Sequence, residues 1–381
     1  MLADFFSILF RRRLMDRHMT ATHSPSVRLH HWFMTRRIVT CVAVSIWIGL
    51  TFNGPILEAA TLPTADEIMQ ELHISDSDRA GIMQGKIVDW TASEGTDREL
   101  ALGMAFLVKT KPEDLAEMYR QALVLKQVSV ITANGKLTGE GTMADLAGVK
   151  LQPNGEKEAK RYLNVEPGSE MNLDAKEMAA FQALKAGGDA DSVPVEKVET
   201  LIRQVLLARY QAYRTQGLPG IAPYERGKGQ QRLAGDELLL STKQMTGVAK
   251  HLPTFYKFLL NYPKGLDKEE AKNLEEFFYW LNIDVFGRPM YVLVHRMLYH
   301  MGDAAMAIER HYYTSHDYNS MLQGIAVLPT KDGTFLFYIG RVSTDQVAGF
   351  GSSALHPISR AITAPYIKDM FQKIQTKAGK K

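Results

Sequence analysis

The chain has 381 residues, of which 45% are hydrophobic and 23% charged, and its formal net charge is +3. This composition is that of an ordinary globular protein, which excludes a disordered, a collagen-like or a multi-span membrane chain. The length predicts two domains, or one large domain with an insertion. A single cysteine, Cys41, excludes a disulfide scaffold and a cysteine-based zinc site.

The first sixty residues carry the pattern of a secretory signal. Arg36 and Arg37 precede an apolar run at 38–52, which is followed by helix breakers and the small residues Ala59 and Ala60. This run is shorter than the roughly 20 residues that span a bilayer as a helix. We therefore expect export to the periplasm or the extracellular space with cleavage near residue 60, and the alternative is an uncleaved N-terminal membrane anchor.

Residues 1–33 fit this signal poorly, because they add five arginines and four histidines ahead of it. We expect translation to begin at Met34, and the alternative is a long basic segment before the apolar run. Residues 1–60 hold 7 of the 45 basic and 3 of the 42 acidic residues, which leaves 38 against 39 in the rest of the chain. The remaining chain is nearly neutral, so we expect no nucleic-acid partner.

Residues 61–138 are predicted to begin an α+β domain. Thr64 and Glu67 match a capping box, in which each side chain accepts a hydrogen bond from an early helix amide. Asn134-Gly135 tolerates positive φ and predicts a hairpin turn. The predicted elements are a helix from Thr64 to His73, strands at 86–91 and 99–109, a helix from a second capping box at Thr110 to residue 124, and strands at 127–132 and 136–138.

Residues 139–275 show a helical pattern and are predicted to form a helical insertion. The predicted elements are helices at 172–186, 192–216, 237–250 and 252–260, and a glycine- and proline-rich loop at 218–229.

Residues 276–381 are predicted to complete the α+β domain with antiparallel strands and a C-terminal helix. Gly287-Arg288 suits a type II′ turn, which places Phe286 opposite Pro289 in the hairpin of strands 277–286 and 289–301. Further strands are predicted at 306–319, 321–330 and 334–343. A final helix, with Pro365 expected to kink or split it, would bury an apolar stripe of Leu355, Ile358, Ile362, Ile367, Met370, Phe371 and Ile374.

The order of these elements over 86–132 and 277–377 resembles that of START-related lipid-transfer and polyketide-cyclase-like proteins. The resemblance implies a helix-grip fold, in which a curved antiparallel sheet wraps the last helix and leaves a cavity between them. Separately, the stretches 310–320 and 341–353 resemble an uncharacterised family of exported bacterial proteins, which implies no particular activity.

The stretch 309–320 is polar on both of its alternating sets of side chains, so it predicts either a solvated edge strand or a polar-lined pocket. Our main hypothesis is an exported protein that binds a hydrophobic or amphipathic, lipid-like small molecule between sheet and C-terminal helix, with transient membrane contact compatible with that role. The expected ligand-binding residues are Trp280, His295, Met297, His311, Tyr313, Tyr338 and Arg341.

Three further hypotheses remain open. Gly351, Ser352 and Ser353 precede a helix and could bind an anion, assisted by Arg341 or Arg360. A metal-independent hydrolase or lyase would use His311, His316 and Asp345, and a cell-envelope scaffold would use the helical region to dock a partner. No cofactor or metal is expected, because the five-residue steps between neighbouring histidines of one strand point their rings to opposite faces.

Overall fold

An antiparallel sheet of eight strands runs through the part of the chain that the computed structural model describes, residues 62–122, 128–186, 193–349 and 351–378. The strands are β1 Val88–Thr91, β2 Glu99–Val108, β3 Ile131–Leu137, β4 Tyr224–Gly227, β5 Gln230–Arg232, β6 Leu274–Asp284, β7 Pro289–Met301, β8 Ala304–Thr314, β9 Ser320–Thr330 and β10 Gly333–Ser343. The sheet has the order β1-β2-β10-β9-β8-β7-β6-β3, and β4 and β5 form a separate hairpin.

Ten α-helices accompany the sheet in these described residues. They are α1 Ala65–Glu71, α2 Asp76–Met83, α3 Pro112–Arg120, α4 Gly155–Leu163, α5 Ala175–Ala186, α6 Val195–Gln216, α7 Ala234–Lys243, α8 Thr246–His251, α9 Pro253–Asn261 and α10 Ser352–Ala378. Helices and a large antiparallel sheet confirm the predicted α+β class. Within the described ranges, none of the helices combines the length and apolarity needed to span a bilayer.

The two faces of the sheet are covered by different helices. On β7, Leu293 and Met297 point into a core shared with α4 to α9, and we call this side the helical face. Helices α1 and α2 pack on the same side, against Leu107 and Phe335. The opposite side, which we call the α10 face, packs against α3 and α10.

The predicted β6–β7 hairpin has the expected faces but a different register. Asp284, rather than Phe286, lies opposite Pro289. Phe286 and Gly287 have φ of 55° and 73°, so they form the type I′ turn that the right-handed twist of the strands favours. A shift of two residues preserves the alternation of side chains, so Leu281 and Val292 still share one face.

Strand β3 corrects the predicted hairpin at Asn134-Gly135. It runs through this dipeptide without turning and pairs with β6. Gly135 lies opposite Trp280, and a Cβ on Gly135 would lie only 2.5 Å from Trp280 Nε1. The glycine therefore makes room for an indole ring and not for a turn.

Helix boundaries differ from the predictions in several places. The capping box of Thr64 and Glu67 is confirmed, whereas the hydroxyl of Thr110 donates to Asp114 and does not cap α3. Helices α2 and α4 were missed, the predicted loop at 218–229 contains most of the β4–β5 hairpin, and the helix predicted at 237–250 is two helices. Helix α10 is not split at Pro365, and Ile358 of the expected apolar stripe is 55% exposed.

Candidate functional site

Two mainly apolar cavities lie on opposite faces of the sheet. The first, which we call the α10 cavity, lies between β2, β9, β10 and α10 and has a volume of about 130 Å³. The second, the α1–α8 cavity, lies between α1, the end of β1, α8 and strands β9 and β10, and has a volume of about 390 Å³. Only the larger volume falls in the range of roughly 300–1,000 Å³ that is usual for small-molecule sites.

The α10 cavity is small and almost wholly apolar. Leu102, Tyr338 and Val342 form its floor, and Thr363 and Ile367 of α10 form its roof. Its volume would hold about four water molecules at roughly 30 Å³ each. At the end of α10 that precedes the cavity, His356 and Arg360 both contact the Glu94 carboxylate, which ties the helix to the sheet.

The α1–α8 cavity has an aromatic and methionine-rich wall. Trp90 and Phe337 stack with ring centroids 5.1 Å apart, and Met245, Met301 and Met306 also line the space. Flexible thioether side chains adapt to irregular apolar surfaces better than branched ones do. The wall can therefore adjust to the shape of an apolar guest.

One polar end of the α1–α8 cavity is formed around Arg341. Its guanidinium donates to Glu99 Oε2 at 3.0 Å and to the Ser93 carbonyl oxygen at 2.9 Å. Burial lowers the pKa of Arg341, while the facing carboxylate of Glu99 opposes that shift. Its Nε is buried without a partner among the described residues.

A second polar group lies at the other end of the cavity. Glu71 of α1 accepts a hydrogen bond from His251 Nε2 at 2.9 Å and forms an ion pair with Lys250. These two contacts hold the pKa of Glu71 below its ordinary value and join α1 to α8. The cavity thus has an apolar centre between two polar ends.

The sheet separates the seven residues predicted to bind a ligand. Trp280, His295, Met297 and Tyr313 lie in the core of the helical face, where they line neither cavity. Tyr338 lines the α10 cavity and Arg341 lines the α1–α8 cavity. The structure does not bring these side chains to one site, because Tyr338 and His311 lie on the α10 face, and Arg341, although on the helical face, lines a cavity that the other four do not reach.

His295 lies inside the helical face in a chain of three side chains. Its Nε2 donates to Glu276 at 2.9 Å, since a carboxylate only accepts, and its Nδ1 then accepts from the Tyr213 hydroxyl at 2.9 Å. Burial lowers the pKa of His295 to about 4, against the opposing effect of Glu276. The neutral imidazole is thus the form that this core accommodates.

His311 belongs to a similar chain on the α10 face. It is bonded to Tyr318 Oη at 2.6 Å and to Glu309 at 2.9 Å, and Glu309 also pairs with Arg296. The predicted alternation put His311 and Tyr313 on the same face. A β-bulge at this point, where β8 has one residue more than β7, puts them on opposite faces.

Strand β8 lies between β7 and β9, so the prediction of a solvated edge strand is wrong. Some buried polar groups of the stretch 309–320 find partners inside the protein, whereas Arg310 Nε and Nη1 and the hydroxyls of Tyr312 and Ser320 have none among the described residues. Arg310 is fully buried, and its Nη2 donates to the main-chain oxygen of Leu259 and to Thr242. Internal hydrogen bonds thus account for part of the polarity of this stretch, and none of its residues lines either of the two cavities.

The residues of the hydrolase hypothesis are occupied by structural contacts. His316 Nδ1 contacts Asp317 at 2.6 Å and His316 Nε2 contacts the Pro289 carbonyl oxygen at 3.0 Å. Asp345 accepts from three arginines at 2.6 to 3.2 Å, namely Arg98, Arg226 and Arg232. Both side chains therefore have structural partners within the described part of the chain.

The glycine and serine run ahead of α10 starts the helix with main-chain hydrogen bonds. The Ser352 amide donates to Gly349, and the amides of residues 354 and 355 donate to Gly351. Arg341 and Arg360, the two arginines expected to assist Gly351, Ser352 and Ser353, pair with Glu99 and Glu94 instead. These contacts do not favour an anion site here.

Apart from Arg341, the residues of the α1–α8 cavity escaped the sequence analysis because they come from six separate segments. One signal was present in strand β2, where Gly103 interrupts an otherwise apolar run. A Cβ at Gly103 would lie 2.1 Å from the Trp90 ring, so the glycine allows that ring to cover the strand.

Neither metal-ligand clusters among the described residues nor known relatives point to a further candidate site. The described part of the chain contains no group of three or more histidine, cysteine or acidic side chains that could hold a metal ion. No family model, curated protein or solved structure matches the chain. The geometry of the cavities therefore carries the functional argument.

Proposed function

We propose that the protein binds a hydrophobic or amphipathic small molecule in the α1–α8 cavity. The observation that carries this proposal is the volume of about 390 Å³ behind a wall of aromatic and methionine side chains. Removing apolar surface from water contributes about 25 cal/mol per Å². A ligand that covers this wall would gain affinity mainly from that burial.

The polar ends of the cavity support an amphipathic ligand with a hydrogen-bond acceptor. Arg341 and Gln244 line one end, and Glu71 and His251 line the other. The positive charge of Arg341 is already balanced by Glu99, so an acceptor at that end need not be charged. A carbonyl or hydroxyl group on an apolar body fits this arrangement.

We also propose a helix-grip arrangement for the sheet and α10. The sequence predicts a ligand on the α10 face, whereas we now propose that it binds on the helical face. Packing of Phe371 against Phe106 and Tyr338 supports contact between α10 and the sheet. The 130 Å³ left beneath α10 is too small for a lipid-like molecule. Export also remains a proposal. It is supported by the sequence pattern of the first sixty residues, which lie outside the described ranges.

The test compares two cavity-filling variants. Ala326 lines the α1–α8 cavity and Thr363 lines the α10 cavity, and each is partly buried. We expect Ala326→Trp to weaken binding of N-phenyl-1-naphthylamine, a neutral apolar fluorophore, by more than about tenfold, or about 1.4 kcal/mol. Thr363→Trp should leave that affinity unchanged.

The same titrations identify the failures. Loss of binding in Thr363→Trp alone would move the site to the α10 cavity. Saturable binding that neither variant affects, or no binding by the wild-type protein, would refute the proposal. Native mass spectrometry of the purified protein, before and after solvent extraction, then identifies any co-purifying ligand.

A further inference from the structure

A third concave site is lined by several charged side chains, among which the basic ones are in excess. This cleft, of about 520 Å³, lies between α4, the segment 164–171 that follows it, and the β6–β7 turn. Its four basic lining residues are Lys157, Lys160, Arg161 and Arg288. We call it the basic cleft. It shares no lining residue with the two apolar cavities.

The inner wall of the basic cleft holds two arginines on one carboxylate. Glu158 is buried and lies 3.1 Å from Arg161 Nε and 3.2 Å from Arg288 Nε. One carboxylate balances only one of the two guanidinium charges. Glu166 and Glu170 also line the cleft, so four cations face three carboxylates and positive charge remains in excess.

The rim of the basic cleft adds two exposed lysines. Lys157 and Lys160 form no ion pair within the described ranges, although Lys157 lies three and four positions before two other cations of α4. Like charges at these spacings on a helix repel each other. A bound anion would relieve this repulsion.

The Arg288 guanidinium is held in a fixed position, whereas the Arg161 side chain is partly exposed. Arg288 is 9% exposed, and its Nη2 donates to the Glu170 main-chain oxygen at 3.2 Å. Arg161 Nε is buried and lacks a well-aligned hydrogen bond. A guanidinium group recognises phosphate and carboxylate oxygens through paired N–H donors, and a fixed one loses less entropy on binding.

We propose that the basic cleft binds a small anion that carries at least two negative charges, such as a phosphate ester or a polycarboxylate. The arginines of the inner wall would contact one anionic group and the rim lysines the other. This proposal does not depend on a ligand in the α1–α8 cavity.

The test is a calorimetric titration of the purified protein at low ionic strength with three probes, inorganic pyrophosphate, citrate and acetate. We expect saturable binding of pyrophosphate or citrate and none of acetate, and the preferred probe distinguishes phosphate from carboxylate chemistry. Lys157→Gln with Lys160→Gln should weaken that binding about 25-fold, or about fivefold for each charge at about 4 Å in water.

The matched control is Lys109→Gln with Lys331→Gln, which also removes two exposed lysines that form no ion pair with any described residue. We expect this variant to bind like the wild type. Equal losses in the two double variants would show general attraction of anions and overturn the proposal. Unchanged affinity in the cleft variant, or no saturable binding by the wild type, would overturn it as well.

Discussion

The neutral state of His295 predicts a pH dependence of stability. In the folded protein burial lowers the pKa of His295 from the ordinary 6.5 to about 4. Between these two pH values the unfolded chain binds a proton that the folded chain does not, so the free energy of unfolding falls as the pH falls. The difference in pKa corresponds to about 3 kcal/mol, at 1.36 kcal/mol for each pH unit.

Comparison with His295→Gln isolates this effect from other titrating groups. Glutamine can still reach the Tyr213 hydroxyl and the Glu276 carboxylate, but it does not titrate. Urea unfolding should show that the stability advantage of the wild type shrinks by about 3 kcal/mol between about pH 7 and about pH 4. A difference that stays constant over this range would refute the reasoning, as would an imidazole NMR titration of His295 with a midpoint near 6.5.

Three further substitutions test other parts of the structure by urea unfolding. Burial, and to a smaller extent the nearby Asp345, raises the pKa of Glu237 to about 7. The protonated side chain therefore stabilises the folded protein at low pH, and this stabilisation is lost as the pH rises from about 4.5 to about 7. Since this side chain is only partly buried, Glu237→Gln should gain about 2 kcal/mol relative to the wild type at about pH 8, and no gain would contradict the shift. Gly135→Ala should destabilise by about 2 kcal/mol through its clash with Trp280, whereas Gly247→Ala, with open space around it, should not destabilise. Phe371→Ala should lower the free energy of unfolding by about 3–5 kcal/mol and Ile358→Ala by less than about 0.5 kcal/mol, because only Phe371 is buried. Equal losses in the two variants would contradict this difference in burial.

The β6–β7 hairpin illustrates how far a local pattern can be taken. Its alternation of apolar side chains predicted which residues share a face, and the structure confirms those faces. The register was wrong by two residues, because a shift of two leaves the alternation unchanged. The hydrogen bonds between Val285 and Arg288 that close the actual turn decide the register.

Asn134-Gly135 and Gly103 show a different limit. A glycine in a strand is compatible with a turn, a bulge or a close neighbour, and the chain around it does not distinguish them. The neighbours here are Trp280, from a strand more than a hundred residues later, and Trp90, from the adjacent strand. Only the strand pairing reveals which ring each glycine accommodates.

The sequence by itself determined the α+β class, the capping of the first helix and the faces of the β6–β7 hairpin, because each depends on side chains a few positions apart. The tertiary structure decided which helices cover each face of the sheet, where the cavities lie and why the predicted ligand residues are separated. A cavity is the space left where distant segments fail to fill the gap between them, as α1, α8 and the sheet do around Trp90. Its size depends on the packing of all of them together.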